Sequence, residues 1–184
     1  MKSHRSAGSS QLRGVPDITP LDPARIIGAL HKHEVRFVLI GALAARLHGF
    51  PRLTADADIT PDDSRPNVEK LAKALRELDA RIFTEAIPEG LEFDCSAATL
   101  RRAQMWNLVT SAGRVDIAFR PAGTGGYDDL AANAEKFEAF GVKFLAASLA
   151  DIIRSKEAAG RPKDREDVAI MRAMQKRSTR AKGQ

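Results

Sequence analysis

Residues 35–59 read VRFVLIGALAARLHGFPRLTADADI, and this stretch decides the fold. Residues 35–40 are apolar and rich in β-branched side chains, which predicts a buried strand. Gly41 ends that strand, and residues 42–48 carry a short helical pattern stopped by Gly49 and Pro51. Residues 56–60, DADIT, then alternate polar with apolar, the pattern of a strand with two unlike faces. Side chains two apart in a strand share a face, so Asp56 and Asp58 project together while Ala57 and Ile59 turn to the core. Thr54 stands two residues before Asp56, and in an extended segment its hydroxyl points to the same side.

Outward from this stretch the chain alternates helices and strands. Asp22 followed by Pro23 is an N-cap with a first-turn proline, opening a helix to about His33. Ser64 with Pro66 opens another, in which Val68, Leu71, Ala72, Leu75 and Leu78 recur at helical spacing. Residues 81–83 suit a short strand and residues 96–104 a helix. Residues 106–110 and 114–119 flank Ser111-Ala112-Gly113, a hairpin signal. After a loop at 121–127, a helix is expected from Asp128 and a last strand at 142–145. Ser148 with Asp151 resembles a capping box for a helix through Ala159. Gly160 and Pro162 break that helix, and Asp164 with Asp167 open the final one. The expected fold is α/β (α+β): a mixed β-sheet flanked by helices, with C-terminal helices. Its parts are a disordered basic tail over 1–16, a core over 17–147, a helical segment over 148–176 and a basic tail over 177–184.

Asp116 sits between Val115 and Ile117 on the second hairpin strand. A neighbouring strand would bring it beside Asp56 and Asp58. Three clustered carboxylates repel one another and need a hard cation, and Mg²⁺ or Mn²⁺ prefers oxygen ligands. Two such ions about 4 Å apart can activate a hydroxyl and stabilise a leaving oxygen. Gly41 lets the backbone approach a phosphate closely, and the helix after it offers free N–H groups to the same anion. Arg52 can either reach a phosphate bidentately or form a surface salt bridge.

The ordered set of Gly41-Ala42, Asp56-Ala57-Asp58 and Asp116 resembles the DNA polymerase β-like nucleotidyltransferase superfamily, whose motifs are hG[GS], Dh[DE]h and h[DE]h. Residues 40–59, and residues 151–171 reading DIIRSKEAAGRPKDREDVAIM, resemble its AbiEii-type and Men-type toxin branch. The resemblance spans roughly residues 24–175. It implies transfer of a nucleoside monophosphate from an NTP to an acceptor hydroxyl with release of pyrophosphate. Asp56, Asp58 and Asp116 would be catalytic and hold the metal. Gly41, Ala42, Arg52, Lys156 and Asp164 would bind the nucleotide. The toxin branch implies the tRNA 3′ end as acceptor, a cognate antitoxin as partner, and regulation by phosphorylation at Thr54. Ala42 departs from the pattern, because it keeps the small size of Gly or Ser but lacks a hydroxyl. A small-molecule, antibiotic-type nucleotidyltransferase and a non-catalytic nucleotide-binding module are the alternatives.

Charge is distributed unevenly. The chain of 184 residues carries a formal net charge of +5. Residues 1–16 hold three basic residues and no acid, residues 172–184 hold five and no acid, and residues 17–171 are left at −3. Basic ends attract nucleic acid by phosphate contacts, or are merely solvated. No apolar run reaches about 18 residues, so no membrane span is expected. The basic N-terminus lacks the apolar run of a secretory signal. Cys95 is the only cysteine, which excludes an internal disulfide and suits a cytoplasmic protein. His31 and His33 do not share a helical face, and the loop GTGGY at 123–127 lacks the Gly-Lys-Ser/Thr ending of a P-loop.

Overall fold

The computed structural model describes residues 19–182, with side chains through residue 177. The basic tail expected over 1–16 lies outside the described residues. The chain runs α1 (Pro23–Lys32), β1 (Phe37–Ile40), α2 (Gly41–Leu47), β2 (Asp56–Pro61), α3 (Arg65–Glu77), β3 (Arg81–Ile82) and α4 (Ala97–Leu100). It continues through β4 (Met105–Thr110), β5 (Gly113–Ala118), α5 (Tyr127–Asn133), β6 (Glu135–Ala139), β7 (Val142–Ala146), α6 (Leu149–Ala159) and α7 (Pro162–Lys182). Among the described residues no helix is long and apolar enough to cross a membrane.

The strands form one mixed sheet in the order β3-β4-β5-β2-β1-β7-β6. β2 runs antiparallel to β1 and parallel to β5, and β1 runs parallel to β7. On β2 and β5 the alternation expected from sequence is realised: Ala57, Ile59, Val115 and Ile117 are buried, while Asp56, Asp58 and Asp116 are partly exposed. The apolar face belongs to one core with Ile26 and Leu30 of α1 and Leu71 and Leu75 of α3. Desolvating these side chains, at about 25 cal/mol per Å² of apolar surface, is what fixes which face of β2 looks inward.

Local signals explain most boundaries. Asp22 accepts a hydrogen bond from the Arg25 amide at 3.1 Å and Pro23 begins α1. Ser148 accepts from the Asp151 amide at 3.1 Å and donates to the Asp151 carboxylate at 2.9 Å, so the cap of α6 forms as expected. Three elements differ from the sequence reading. The helix expected over 96–104 shrinks to α4, because Trp106 draws its indole N–H onto the Leu100 carbonyl at 3.0 Å and turns the chain into β4. A strand, β6, lies between the expected helix and the last strand. Its turn is Phe140-Gly141 with both residues at positive φ, a two-residue hairpin without the usual Asn or Asp at its first position. The final helix continues to Lys182, past the boundary expected at 176. Met171 is fully buried and Asp164 and Asp167 nearly so, which fixes α7 to the body at its first half.

Gly113 closes the β4–β5 hairpin at φ 98°, a backbone region that side chains rarely adopt. A Cβ there would lie 2.7 Å from the Leu21 Cα and 3.0 Å from the Pro20 carbonyl oxygen, both backbone atoms. Asp22 donates its amide to the Ala112 carbonyl at 2.9 Å, so the same turn seats the entry to α1. Gly113→Ala is therefore expected to destabilise the fold by about 2 kcal/mol or more, from strain and displaced backbone together. Urea unfolding should show a lowered midpoint, and an unchanged midpoint would contradict this account.

Candidate active site

The parallel register of β2 and β5 sets Asp58 directly beside Asp116 and Asp56 beside Arg114. The antiparallel register with β1 sets Asp58 opposite Ile40, one residue before Gly41. Gly41 has φ 65°, and a Cβ on it would lie 2.6 Å from the Asp58 Cγ and 2.9 Å from its Cβ. Only glycine leaves room for the Asp58 carboxylate at the start of α2. The sequence-predicted residues Gly41, Ala42, Arg52, Thr54, Asp56, Asp58, Asp116, Lys156 and Asp164 all line one cavity of about 540 Å³. Loop residues Pro121, Ala122 and Thr124 form part of its wall, where the Gly123 turn packs closely on Ala158 of α6.

The acids in this cavity are of two kinds. Burial pushes the Asp58 carboxyl up to about 7, and the neighbouring charges of Asp56 and Asp116 push the same way. Burial likewise lifts Asp116 to about 6; Arg114 works against this and Asp56 adds to it. Asp116 Oδ1 is buried without a hydrogen-bond partner, and the nearest guanidinium nitrogen of Arg114 is 3.9 Å away. Thr54 donates its hydroxyl to Asp56 Oδ1 at 2.6 Å. Asp164 and Asp167 are the opposite case. Burial penalises both carboxylates, yet hydrogen bonds from Lys156 and Arg161 to Asp164, and from Arg52 and Lys156 to Asp167, outweigh it and hold both below the usual range.

A divalent cation fits the first group by its chemistry. All its donors are hard carboxylate oxygens, one of them is a buried acceptor lacking a donor, and their charges raise one another's proton affinity. Among the described residues no group of three or more Asp, Glu, His or Cys side chains is drawn together as a ready-made metal site. One oxygen of Asp56 is engaged by the Thr54 hydroxyl at 2.6 Å.

Arg52 forms the ion-pair alternative, bonding Asp167 at 2.7 Å. Lys156 contacts Asp164 at 2.6 Å and Asp167 at 3.0 Å. Asp164 thus sits between the cations Lys156 and Arg161. Sequence reasoning passed over Arg161, and met Lys163 only within the Lys163-Asp164 segment of the resemblance without giving it a role; both line the cavity. They follow the left-handed turn at Gly160, and no local pattern foretells that the α6–α7 turn returns them to the site. Arg114, two residues before Asp116 on the same strand face, is not among the residues that line the cavity, and its guanidinium lies 4.0 Å over the Phe83 ring.

No protein-family model and no curated protein sequence matches the chain. Solved structures do match. The lincomycin-bound lincosamide antibiotic adenylyltransferase LnuA superposes with a TM-score of 0.54 and 13% identity, over 84% of this chain and 99% of that one. A Thermotoga maritima protein provisionally assigned as a nucleotidyltransferase, TM1012, gives a TM-score of 0.49 at 18% identity over 79% and 86% of the two chains. The antibiotic-resistance factor ANT(2'')-Ia gives 0.45 at 19% identity over 85% and 90%. At these identities the likeness to LnuA establishes the fold, and the chain has a nucleotidyltransferase-like fold.

An acid whose folded-state pKa is raised binds its proton more tightly in the folded protein, so the stability it lends is complete below its unfolded pKa and is lost as pH rises through the folded value. With Asp58 at about 7 and Asp116 at about 6, metal-free protein should melt at lower temperature as pH climbs from about 4 to about 7. Asp58→Asn should flatten that fall. Added Mg²⁺ should raise the melting temperature more at pH 7.5 than at pH 5. A melting temperature that is level across this range without metal would contradict the account.

Proposed function

We propose that the chain is a metal-dependent nucleotidyltransferase that moves a nucleoside monophosphate from an NTP to an acceptor hydroxyl. The observation that carries the reading is the pairing of Asp58 with Asp116 across β2 and β5, with Asp56 on the same face and Gly41 against Asp58, in a cavity whose other wall carries Arg52, Lys156, Arg161 and Lys163 among its acids. Its volume of about 540 Å³ is in the range of small-ligand sites.

Asp56 and Asp58 would hold Mg²⁺ or Mn²⁺ with Asp116. Bound there, the metal supplies neutralisation of the triphosphate and a lowered pKa for the acceptor hydroxyl. Asp116 would accept the hydroxyl proton through its carboxylate. The acceptor oxygen attacks the α-phosphorus, the bond to the bridging oxygen breaks, and pyrophosphate leaves. Gly41 lets the backbone meet the β- and γ-phosphates, and Lys156 and Arg52 supply positive charge to them.

The acceptor is the finer question. LnuA is an antibiotic adenylyltransferase, and its fold likeness at 13% identity favours a small-molecule acceptor no more than the toxin-branch resemblance favours the tRNA 3′ end. Both are tested together. Each labelled NTP is incubated with the protein, Mg²⁺ and either total tRNA or a panel of small hydroxyl-bearing antibiotics that includes lincomycin. Label transfer with pyrophosphate release is expected, and Asp58→Asn or Asp116→Asn should reduce it by roughly a thousandfold or more, the scale of losing a metal or a base. Transfer that persists in EDTA would refute the metal role, and absence of pyrophosphate release with every acceptor would refute the reading.

The same resemblance makes Thr54 a control point. Phosphorylation would replace a hydroxyl that serves Asp56 with about −1.5 to −2 charges beside three carboxylates, opposing triphosphate entry. Thr54→Val should stay within about tenfold of the parent, the scale of one lost hydrogen bond, whereas Thr54→Glu should mimic the block in part and fall below it. Equal activity of the two variants would remove Thr54 from regulation.

A further inference from the structure

Beyond the carboxylate row, the strongest unexplained feature is the group of ions that joins three elements at the cavity wall. Arg52 comes from the segment before β2, Lys156 from α6, and Asp164 and Asp167 from α7. We propose that Asp167 is a positioning residue: it holds Arg52 and Lys156, which arrive from different walls, so that their remaining N–H groups face a bound triphosphate. The proposal builds on the nucleotidyltransferase reading and assigns the residue that organises its phosphate side.

The argument is one of donors and geometry. Asp167 spends one oxygen on each cation, accepting from Arg52 Nη1 at 2.7 Å and from Lys156 Nζ at 3.0 Å. Asp164 takes a second proton of Lys156 at 2.6 Å and the Nε–H of Arg161 at 2.7 Å. An ammonium has three donors, so Lys156 keeps one for a ligand. Arg52 gives a single N–H to Asp167 and keeps the rest of its fork. The side chain of Asp167 is 7% exposed and that of Arg52 is 52% exposed. The anion is therefore the buried, fixed partner and the cation the solvent-facing one. An arginine on a loop without such a partner samples many rotamers and gives up that freedom on binding. Asp167 removes the cost in advance.

Charge alone predicts the opposite. A carboxylate near the phosphates repels them, so its neutralisation should tighten binding. The two accounts differ in sign, which makes the test decisive. Binding of Mg²⁺–tripolyphosphate to the full chain is measured by calorimetry. Asp167→Asn keeps the shape and is expected to weaken binding by about tenfold, the scale of a lost charge-assisted hydrogen bond. In an Arg52→Gln background the same change should cost less than about threefold, because groups acting as a unit are not additive. Should Asp167→Asn fold poorly, Arg52→Lys provides the check: it keeps the charge and loses the planar fork, and is expected to bind as weakly as Arg52→Gln. Asp167→Asn binding as tightly as the parent or tighter, an undiminished effect in the Arg52→Gln background, or parental affinity in Arg52→Lys would each overturn the assignment. Failure of the parent itself to bind the probe would instead overturn the nucleotidyltransferase reading, and the assignment with it.

Discussion

The contact between Asp58 and Gly41 is the constraint on which the site depends. Asp58 is fixed laterally by its register with Asp116 on β5 and vertically by the first residue of α2. The carboxylate occupies the volume in which any other residue at 41 would place its Cβ. Three elements distant in sequence therefore meet at one side chain, and none can shift by a residue without turning the row of acids to the wrong face. The cavity follows from this meeting: β2 and β5 form its floor, α2 one side, and the α6–α7 pair the other.

The two halves of the cavity store electrostatic energy differently. On the floor, acids face acids, and burial raises the proton affinity of Asp58 and Asp116. On the wall, acids face bases, and Asp164 and Asp167 are held ionised in nearly complete burial. The floor is set to receive positive charge and the wall to present it. A metal–triphosphate complex, positive at one part and negative at another, is complementary to that division.

Much of this was legible in the sequence because it depends on local periodicity. The alternation DADIT places two acids on one face, VDI places the third, and a single glycine after an apolar strand marks the turn. Ser148 and Asp22 announce helix starts by side-chain chemistry that operates within four residues. What could not be read depends on distance. Edge strand β6 alternates charged residues with Phe137 and Ala139 and turns at Phe140-Gly141, a sequence without the common hairpin signal. Arg161 and Lys163 reach the cavity only because α6 and α7 fold back on each other. Asp164 and Asp167 could be read as ordinary helix-start acids. That they are buried against Lys156 is decided by the packing of Met171, seven residues after Asp164 on the same helix.

The order of the strands has a consequence for how the protein is made. β1 lies between β2 and β7, and β7 is followed by the two helices that carry the cationic wall. During synthesis the chain emerges N-terminus first, so the acids of β2 exist well before Lys156 or Asp167. The nascent chain therefore holds its acids without the wall that faces them. The cavity wall is complete only with α6 and α7 in place, so the acids are made before the residues that enclose them.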